Sequence, residues 1–352
     1  MNNLTRVVVS AALFASSWTA FSALAQSSSN GPYRLVQSAQ YPGAGGIDYV
    51  VADSAARRLY VPRGGEVLVF DLDTLKPAGT IPNARARGVA IAPTSHHGFS
   101  SSAPVVMWDT RTLATLKTID VQGRPDAILF EPATERVYVF SHTAPHATVI
   151  DAKNGTVVGT IDLGGAPEQP VSDGRGRLYV DLEDKDAVAV VDVKSLQVVG
   201  RYQLDGKGGT PAGLALDAKN RRLFVFCRDP QTCVVLDADN GKIIATLPIG
   251  RGTDGGGFNP RTMEAFSSQG DGTLTIIKEN SPTDFAVTQT VQTKARAKTC
   301  TLDTKTDRIV LITTEPMPAT AASSAKTAEA PPPPAKKGNT GPAYLDILVV
   351  GR

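Results

Sequence analysis

The sequence predicts an all-β fold, a seven-bladed β-propeller with four antiparallel strands in each blade, and two observations carry this prediction. First, the order Arg, Leu or Val, Tyr or Phe, Val recurs at 58–61, 136–139, 177–180 and 222–225, and a weaker copy of the repeat occupies 105–119. Second, the next strand of each repeat ends in an Asp, and these residues are spaced 38, 42, 41 and 45 apart, the length of a four-stranded blade. The five residues are Asp71, Asp109, Asp151, Asp192 and Asp237.

The count reaches seven blades when the last two repeats are included. Each repeat is made of short runs rich in Val, Ile, Leu and aromatic residues, bounded by Gly, Pro, Asn and Asp, as is typical of strands and turns. Blade six is degenerate at 272–291, with Lys278 where the Asp is expected. Blade seven has strands within 298–314 and 343–352 and lacks a fourth, whereas the strand at 33–42 precedes the first repeat. We expect 33–42 to complete blade seven, because a closed ring leaves no exposed edge strand.

Segment 315–342 interrupts blade seven between its second and third strands. Its composition, dominated by Ala, Pro, Ser and Lys, predicts a disordered insertion on the upper face of the ring, because such a segment cannot form a packed core. The run Pro331–Pro334 is expected to be extended polyproline II. We interpret the segment as a loop that the fold tolerates and that has no recognition role. The alternative is that it serves as an arm that docks on a partner.

Stacking of the repeats follows from the pattern of apolar residues. A single four-stranded sheet cannot bury both of its faces, so copies must pack against one another. The Tyr or Phe of each repeat, with its Val and Leu neighbours, is predicted to fill the space between blades. The repeated Asp is predicted to be structural, because Asx side chains accept hydrogen bonds from backbone N–H groups in turns.

The repeat order resembles the YVTN-type β-propeller repeat proteins, the YncE-like family of exported bacterial propellers. The residues that carry the resemblance are Leu59-Tyr60-Val61, Val137-Tyr138-Val139, Leu178-Tyr179-Val180 and Leu223-Phe224-Val225, each followed by its Asp. The resemblance spans nearly the whole chain after the N-terminal segment, and it implies a propeller that serves as a binding or scaffold module. The dipeptide Trp108-Asp109 is similar to the repeats of WD40 propellers but occurs once, and we interpret it as coincidence.

Residues 1–25 have the features of a secretory signal peptide. One cation, Arg6, precedes an apolar run, and cleavage is expected after the small residues of Ala23-Leu24-Ala25. The remaining chain, 26–352, is predicted to be one propeller that is exported, soluble, periplasmic and monomeric. No later stretch is long and apolar enough to predict a membrane span. The formal net charge of +2 gives no indication of a nucleic-acid partner.

Three cysteines follow the signal peptide, in a compartment that favours oxidation. Cys227 and Cys233 flank the loop between strands two and three of blade five, and we expect a disulfide across this hairpin, with two buried thiols as the alternative. Cys300 lies on the innermost strand of blade seven and is interpreted as a small core residue.

The loops that lead into the innermost strands gather on the upper face, around the central channel. One equivalent position per blade, counted from the end of each inner strand, reads Asp48, Gly88, Asp126, Glu168, Ala212, Asp254 and Lys298. The same loops carry the cations Arg85, Arg87, Arg124, Arg251, Lys294 and Arg296. With Lys298, these cations predict a rim that attracts a partner protein or a small anionic ligand. The alternative is that the charges pair with one another.

The four carboxylates suggest a second hypothesis. Metal-dependent lactonases are propellers that hold one divalent cation on central carboxylate and Asn oxygens, and a similar site here would use Asp48, Asp126, Glu168 and Asp254 to bind calcium. The set lacks an Asn, and Lys298 lies in the same ring. His142 and His146, in the loop SHTAPHA, are interpreted as surface side chains, with a shared metal as the alternative.

The sequence therefore predicts an exported, non-catalytic binding or scaffold propeller without a cofactor, and a metal-dependent hydrolase is the alternative. A quinoprotein-type redox subunit is a third class, but the chain has no C-x-x-C-H attachment site. It also has no Ser/His/Asp nucleophile pattern and no phosphate-binding glycine loop. The loops that carry the cations have almost no aromatic residues, which argues against binding of single-stranded nucleic acid.

Overall fold

The computed structural model describes residues 31–317 and 342–352, and within these ranges the regular elements are all β-strands. They form seven antiparallel sheets of four strands each. The innermost strands of neighbouring sheets contact one another around a complete ring, including the contact between the first and the last blade. The predicted seven-bladed β-propeller is therefore confirmed.

The strands of the first four blades follow one another along the chain, from the channel outward. Blade one comprises β2 (Val51–Asp53), β3 (Arg58–Arg63), β4 (Glu66–Asp71) and β5 (Pro77–Ile81). Blade two comprises β6 (Val89–Ala92), β7 (His97–Ser100), β8 (Val105–Asp109) and β9 (Thr115–Ile119). Blade three comprises β10 (Pro125–Glu131), β11 (Arg136–Ser141), β12 (Ala147–Asp151) and β13 (Val157–Ile161). Blade four comprises β14 (Pro167–Ser172), β15 (Arg177–Leu182), β16 (Ala187–Asp192) and β17 (Gln197–Gln203).

The last blade differs from the others because both ends of the chain contribute to it. Blade five comprises β18 (Pro211–Asp217), β19 (Arg222–Cys227), β20 (Thr232–Asp237) and β21 (Ile243–Pro248). Blade six comprises β22 (Thr253–Asn259), β23 (Glu264–Gln269), β24 (Thr273–Ser281) and β25 (Asp284–Gln292). Blade seven comprises β26 (Thr299–Asp303), β27 (Arg308–Pro316), β28 (Ala343–Gly351) and β1 (Arg34–Gly43).

The ring is closed as predicted, by the N-terminal strand on the outside of blade seven. β1 pairs antiparallel with β28, from Arg34 opposite Gly351 to Gly43 opposite Ala343. A carboxylate of blade six holds the two residues that flank this pair, Tyr33 and Arg352. Glu264 accepts hydrogen bonds from the Tyr33 hydroxyl at 2.6 Å and from Arg352 Nη2 at 2.6 and 2.7 Å.

Two of the sequence predictions fall largely on residues outside the described part. The signal peptide, 1–25, is one, and residues 318–341 of the predicted insertion are the other. Along the chain, residues 318–341 separate β27 from β28, and residues 315 and 316 of the predicted insertion belong to β27. Among the described residues, no helix has the length and apolarity required to span a bilayer.

The repeated aromatic residue fills the space between blades, as predicted. Tyr60, Tyr138, Tyr179 and Phe224 are at most 1% exposed. Each apolar cluster draws its side chains from two neighbouring blades, and Tyr60 of blade one, for example, packs in one cluster with Trp108 of blade two. The core is therefore divided into layers between sheets, because each sheet buries both of its faces against copies of itself.

The structural role predicted for the repeated Asp is also confirmed. Asp71 Oδ1 accepts the N–H groups of Asp73 at 3.2 Å and Thr74 at 2.8 Å, and the same pattern recurs after the Asp of blades two to four. The fourth residue after the Asp has a positive φ, 58° at Leu75 and 68° at Gly155. The left-handed residue explains why some copies of this turn carry glycine.

The predicted disulfide between Cys227 and Cys233 is wrong, and the thiols are free and buried. Cys227 lies opposite Thr232 and Cys233 lies opposite Phe226, so the two cysteines are one residue out of register. A shift of one residue places side chains on opposite faces of a sheet. Cys227 packs between blades four and five, and Cys233 packs between blades five and six. Burial raises the pKa of both thiols, to about 12 for Cys227.

Glu279 on β24 is a buried carboxyl that gives the fold a pH dependence. Its Oε1 accepts a hydrogen bond of 2.7 Å from Asn220 Nδ2. Burial, and then the nearby Asp217 carboxylate, raise the pKa of Glu279 to about 7. An unfolded glutamate has a pKa of about 4.3, so between about pH 4 and 7 the folded chain binds more protons than the unfolded chain. The free energy of unfolding therefore falls as the pH rises through this window.

The Glu279→Gln variant is expected to remove this part of the pH dependence. Glutamine keeps the acceptor for Asn220 and carries no charge, so we expect the free energy of unfolding at pH 8 to rise by about 1–2 kcal/mol, with allowance for solvent screening. Urea unfolding at pH 5 and pH 8 measures the difference. The exposed Glu66 provides the matched control, Glu66→Gln. The prediction is wrong if both variants keep the wild-type difference between the two pH values.

Candidate functional site

Eight ionisable side chains, acidic and basic in alternation, lie around the upper mouth of the channel, and we call them the charge ring. In order they are Asp48, Arg87, Asp126, His142, Glu168, Arg228, Asp254 and Lys298. Arg87 bridges the first two carboxylates, with Nη1 2.8 Å from Asp48 Oδ2 and Nε 3.5 Å from Asp126 Oδ1. His142 Nε2 continues the ring, 2.9 Å from Asp126 Oδ2.

The second half of the charge ring is built in the same way. His142 Nε2 lies 3.7 Å from Glu168 Oε1, and Arg228 Nη2 lies 3.9 Å from the same oxygen. Arg228 also contacts Asp254, and Lys298 forms a second contact with that carboxylate. Arg228 Nη1 reaches outward to Glu183 Oε2 at 3.0 Å. The fold therefore brings together the five ionisable residues that the alignment of inner strands identified, namely Asp48, Asp126, Glu168, Asp254 and Lys298.

The start of each inner strand explains this convergence. Asp126, Glu168 and Asp254 are the second residues of β10, β14 and β22, while Lys298 directly precedes β26. The inner strands surround one channel, so equivalent positions at their upper ends face a common space. The side chains of the four carboxylates are 7–16% exposed, which leaves them mostly shielded from water.

Burial and crowding of like charges disfavour ionised carboxylates in the charge ring. Burial, then Asp126 and Asp254, raise the pKa of Asp48 to about 6. Burial and the neighbouring carboxylates also raise the pKa of Glu168. Tyr49 lies beneath the ring and donates a hydrogen bond of 3.2 Å to Glu168 Oε2. Burial raises the pKa of Tyr49 well above its usual value, so the phenol stays neutral and remains a donor.

The charge ring offers little support for a calcium site on Asp48, Asp126, Glu168 and Asp254. Calcium takes 6–8 oxygen ligands in most proteins. Arg87 occupies an oxygen of Asp48, while Arg228 and Lys298 occupy both oxygens of Asp254. These basic groups neutralise the two carboxylates that would have to complete the set.

The seven predicted rim cations divide into three groups. Arg87 and Lys298 belong to the charge ring. Lys294 pairs with Glu315 and Asp346 at 3.1 Å each, and Arg296 donates to the backbone oxygen of Thr314. The third group is exposed, and within residues 31–317 and 342–352 its side chains form no ion pair. Its members are Arg85, Arg124 and Arg251.

A surface depression of about 720 Å³ lies beside the charge ring, and we call it the upper hollow. It is lined by Asp48 and three arginines together with small residues from the loops of blades one to three. The arginines are Arg85, Arg87 and Arg124. The small residues include Gly45, Gly46, Gly64, Ser101, Ser102, Ala103 and Gly123. The upper hollow thus combines the unpaired guanidinium groups of Arg85 and Arg124 with a wall made largely of small residues.

Sequence reasoning did not place three residues beside the aligned carboxylates, namely His142, Glu183 and Arg228. Each directly follows the second strand of its blade, after β11, β15 and β19 respectively. A second alignment, counted from the ends of these strands, would have identified them. His142, interpreted from the sequence as a surface side chain, is 27% exposed and belongs to the charge ring. His146 does not share a site with it, because its Nδ1 contacts Asp162 Oδ1 at 2.7 Å.

Beneath the charge ring, one glutamine links the inner strands of three neighbouring blades. Gln169 Oε1 accepts the N–H groups of Leu214 at 3.2 Å and Gly256 at 3.0 Å, and Nε2 donates to the Gly256 oxygen at 2.9 Å. These bonds join blades four, five and six. A cavity of about 220 Å³ lies alongside, lined in part by Tyr49 and Cys300. Cys300 is half-buried, and it lines this cavity while it packs against the apolar cluster between blades six and seven, in line with the predicted core position.

Comparison with known sequences finds similarity over part of the chain. The chain is 24% identical over 196 residues to the protein named YncE of Salmonella typhi, a match that covers 52% of this chain and 54% of that protein. It is 29% identical over 144 residues to YncE of Escherichia coli O157:H7, covering 38% and 40%. The chain thus spans about half the length of the curated relatives it matches, or less. No protein-family model matches. The predicted resemblance to YncE-like proteins is confirmed over these segments.

Comparison with solved structures supports the fold. A chain of the mitotic checkpoint complex superimposes with a TM-score of 0.70 at 13% identity, covering 87% of this chain and 95% of that one. The WD40 repeats of RRP9 give 0.66 at 11% identity, covering 90% and 97%. At such low identity the likeness concerns the propeller architecture alone.

Proposed function

We propose that this propeller is an exported, non-catalytic binding protein whose upper hollow takes an anionic ligand or an anionic group of a partner protein. The fold and the similarity to YncE-like proteins support a binding or scaffold role in general. The finer assignment rests on the charges of the upper hollow. Export to the periplasm remains a prediction from residues 1–25 and is part of the proposal.

The observation that carries the proposal is the unpaired state of Arg85 and Arg124. Most basic side chains around the channel already contact a carboxylate, as Arg228 does with Glu183 at 3.0 Å. Arg85 and Arg124 are exposed and have no carboxylate partner in the described residues. Two unpaired guanidinium groups on one concave surface attract an anion and can bind a carboxylate or phosphate in a bidentate manner.

Two loops that line the upper hollow have glycine at positions that exclude other residues. A Cβ at Gly123, whose φ is 81°, would lie 2.3 Å from Ser141 Oγ. A Cβ at Gly45, with φ 103°, would lie 2.5 Å from the Cα of Gly64. Both loops therefore require glycine, because a side chain at either position would be strained and would clash with the neighbouring loop.

The test is calorimetric titration of the protein with citrate and with inorganic phosphate at low ionic strength. We expect saturable binding of at least one of them that weakens as salt is added. The double variant Arg85→Ser/Arg124→Ser is expected to weaken binding by about tenfold or more, because a hydrogen bond to a charged group contributes about 1.5–3 kcal/mol.

The control removes the same number of positive charges from the lower face. Arg111 and Arg175 are exposed there, so Arg111→Ser/Arg175→Ser changes the net charge equally without touching the upper hollow. We expect nearly unchanged affinity in this variant. Equal weakening in both double variants would mean that net charge alone attracts the anion. Either that result or a wild-type protein that binds neither anion contradicts the proposal.

A further inference from the structure

We propose that Asp126, His142 and Glu168 form a binding site for one divalent transition-metal ion, with zinc as the best match. The site lies within the charge ring and uses donors from blades three and four. It differs from the calcium hypothesis in its ligands, because it includes an imidazole and leaves out Asp48 and Asp254. It also does not depend on anion binding in the upper hollow.

The three donors are already gathered. One ligand atom from each residue can be chosen so that all three lie within 4.8 Å of one another. His142 Nε2 is 2.9 Å from Asp126 Oδ2 and 3.7 Å from Glu168 Oε1. Zinc binds nitrogen and oxygen ligands at about 2.0–2.2 Å, so tetrahedral ligands lie roughly 3.3–3.6 Å apart. The two contacts of His142 Nε2, at 2.9 and 3.7 Å, bracket that spacing.

Buried polar atoms without hydrogen bonds point to a missing ligand. Asp126 is 6% exposed, yet its Oδ1 forms no hydrogen bond and has only the 3.5 Å contact with Arg87 Nε. His142 Nε2 also forms none, although Asp126 Oδ2 is only 2.9 Å away, because the direction of the contact does not suit a hydrogen bond. Unsatisfied buried polar atoms cost free energy, and a metal ion between them would satisfy both.

The flanking cations leave these oxygens available. Arg87 is closer to Asp48, at 2.8 Å, than to Asp126, at 3.5 Å. Arg228 contacts Asp254 and Glu183 and is 3.9 Å from Glu168. Each arginine therefore has a nearer carboxylate partner outside the proposed site. In this sector of the charge ring, the contacts of carboxylate oxygens with arginine and lysine are the longest, at 3.5 and 3.9 Å.

A supporting contact fixes the orientation of one ligand. Tyr49 donates its hydroxyl to Glu168 Oε2, which leaves Oε1 directed toward His142. Hydrogen bonds of this kind orient metal ligands and contribute to affinity. An imidazole with two carboxylates favours zinc and its neighbours over calcium, which prefers a larger set of oxygens. Three protein ligands leave a fourth position for water or an anion from the upper face.

The test uses zinc alone as the probe, added to full-length protein that has been freed of metal by chelation. Calorimetry is expected to give one zinc per chain, and zinc is expected to raise the melting temperature while calcium leaves it unchanged. The His142→Ala variant is expected to weaken binding by more than about 100-fold, because the loss of outer ligand contacts alone costs 10–100-fold.

A matched histidine variant and a spectroscopic readout complete the test. His146→Ala removes the neighbouring histidine of the same loop and is expected to bind zinc like the wild type. Cobalt substitution is expected to give the intense visible absorption of a tetrahedral site, and Asp126→Asn is expected to abolish it. Circular dichroism establishes that each variant is folded. Failure of the wild type to bind zinc stoichiometrically, or equal affinity in His142→Ala, overturns the proposal.

Discussion

Replacing Trp108 with alanine is expected to lower the free energy of unfolding by about 3–5 kcal/mol, the range for truncation of a large buried aromatic residue. Trp108 is fully buried between blades one and two, with its ring centroid 6.1 Å from that of Tyr60. A Cβ at Gly98 would lie 2.2 Å from the indole, so the backbone opposite has no side chain that can fill the space. The cavity therefore remains, and its cost adds to the loss of apolar burial.

The control for Trp108→Ala is a substitution of an exposed residue in the same blade. Leu116 on β9 is 50% exposed, and Leu116→Ala is expected to change the free energy of unfolding by less than about 0.5 kcal/mol. Chemical unfolding should be followed by circular dichroism, because residues 31–317 and 342–352 contain no other tryptophan for fluorescence. Similar losses in the two variants would mean that the layer between blades one and two is not a rigid part of the core.

The architecture could be predicted because the information for it is repeated along the chain. The spacing of Asp71, Asp109, Asp151, Asp192 and Asp237 measures one blade directly. The strand at 33–42 had no blade of its own, and blade seven lacked one strand, so closure followed from counting. Such predictions depend on local turns and on alternation within strands, which short segments of sequence encode.

The candidate site could be predicted only in part, because its contacts join different blades. Alignment of the inner strands identified Asp48, Asp126, Glu168 and Asp254 as one set. It did not show that His142 and Arg228 would lie between them, since both come from a different loop of the repeat. The predicted disulfide failed for a related reason. A loop of five residues does not reveal that Cys227 and Cys233 are out of register by one residue.

Replacing Gln169 with leucine is expected to lower the free energy of unfolding by about 2–4 kcal/mol. The change removes the partner of two backbone N–H groups, at Leu214 and Gly256, and of the Gly256 carbonyl. Each unsatisfied group costs roughly 1–3 kcal/mol when it is shielded from water. The adjacent cavity of about 220 Å³ can admit water, which keeps the expected loss below the sum of the three.

Hydrogen exchange distinguishes this mechanism from a general loss of stability. In Gln169→Leu, the amides of Leu214 and Gly256 are expected to exchange faster than neighbouring amides of β18 and β22, because their shared acceptor is gone. Gln203 on β17 is exposed and belongs to the same blade, so Gln203→Leu serves as the control. Uniformly faster exchange throughout blades five and six would show that the glutamine acts through overall packing. Faster exchange confined to the two amides would establish that one side chain links three inner strands beneath the charge ring.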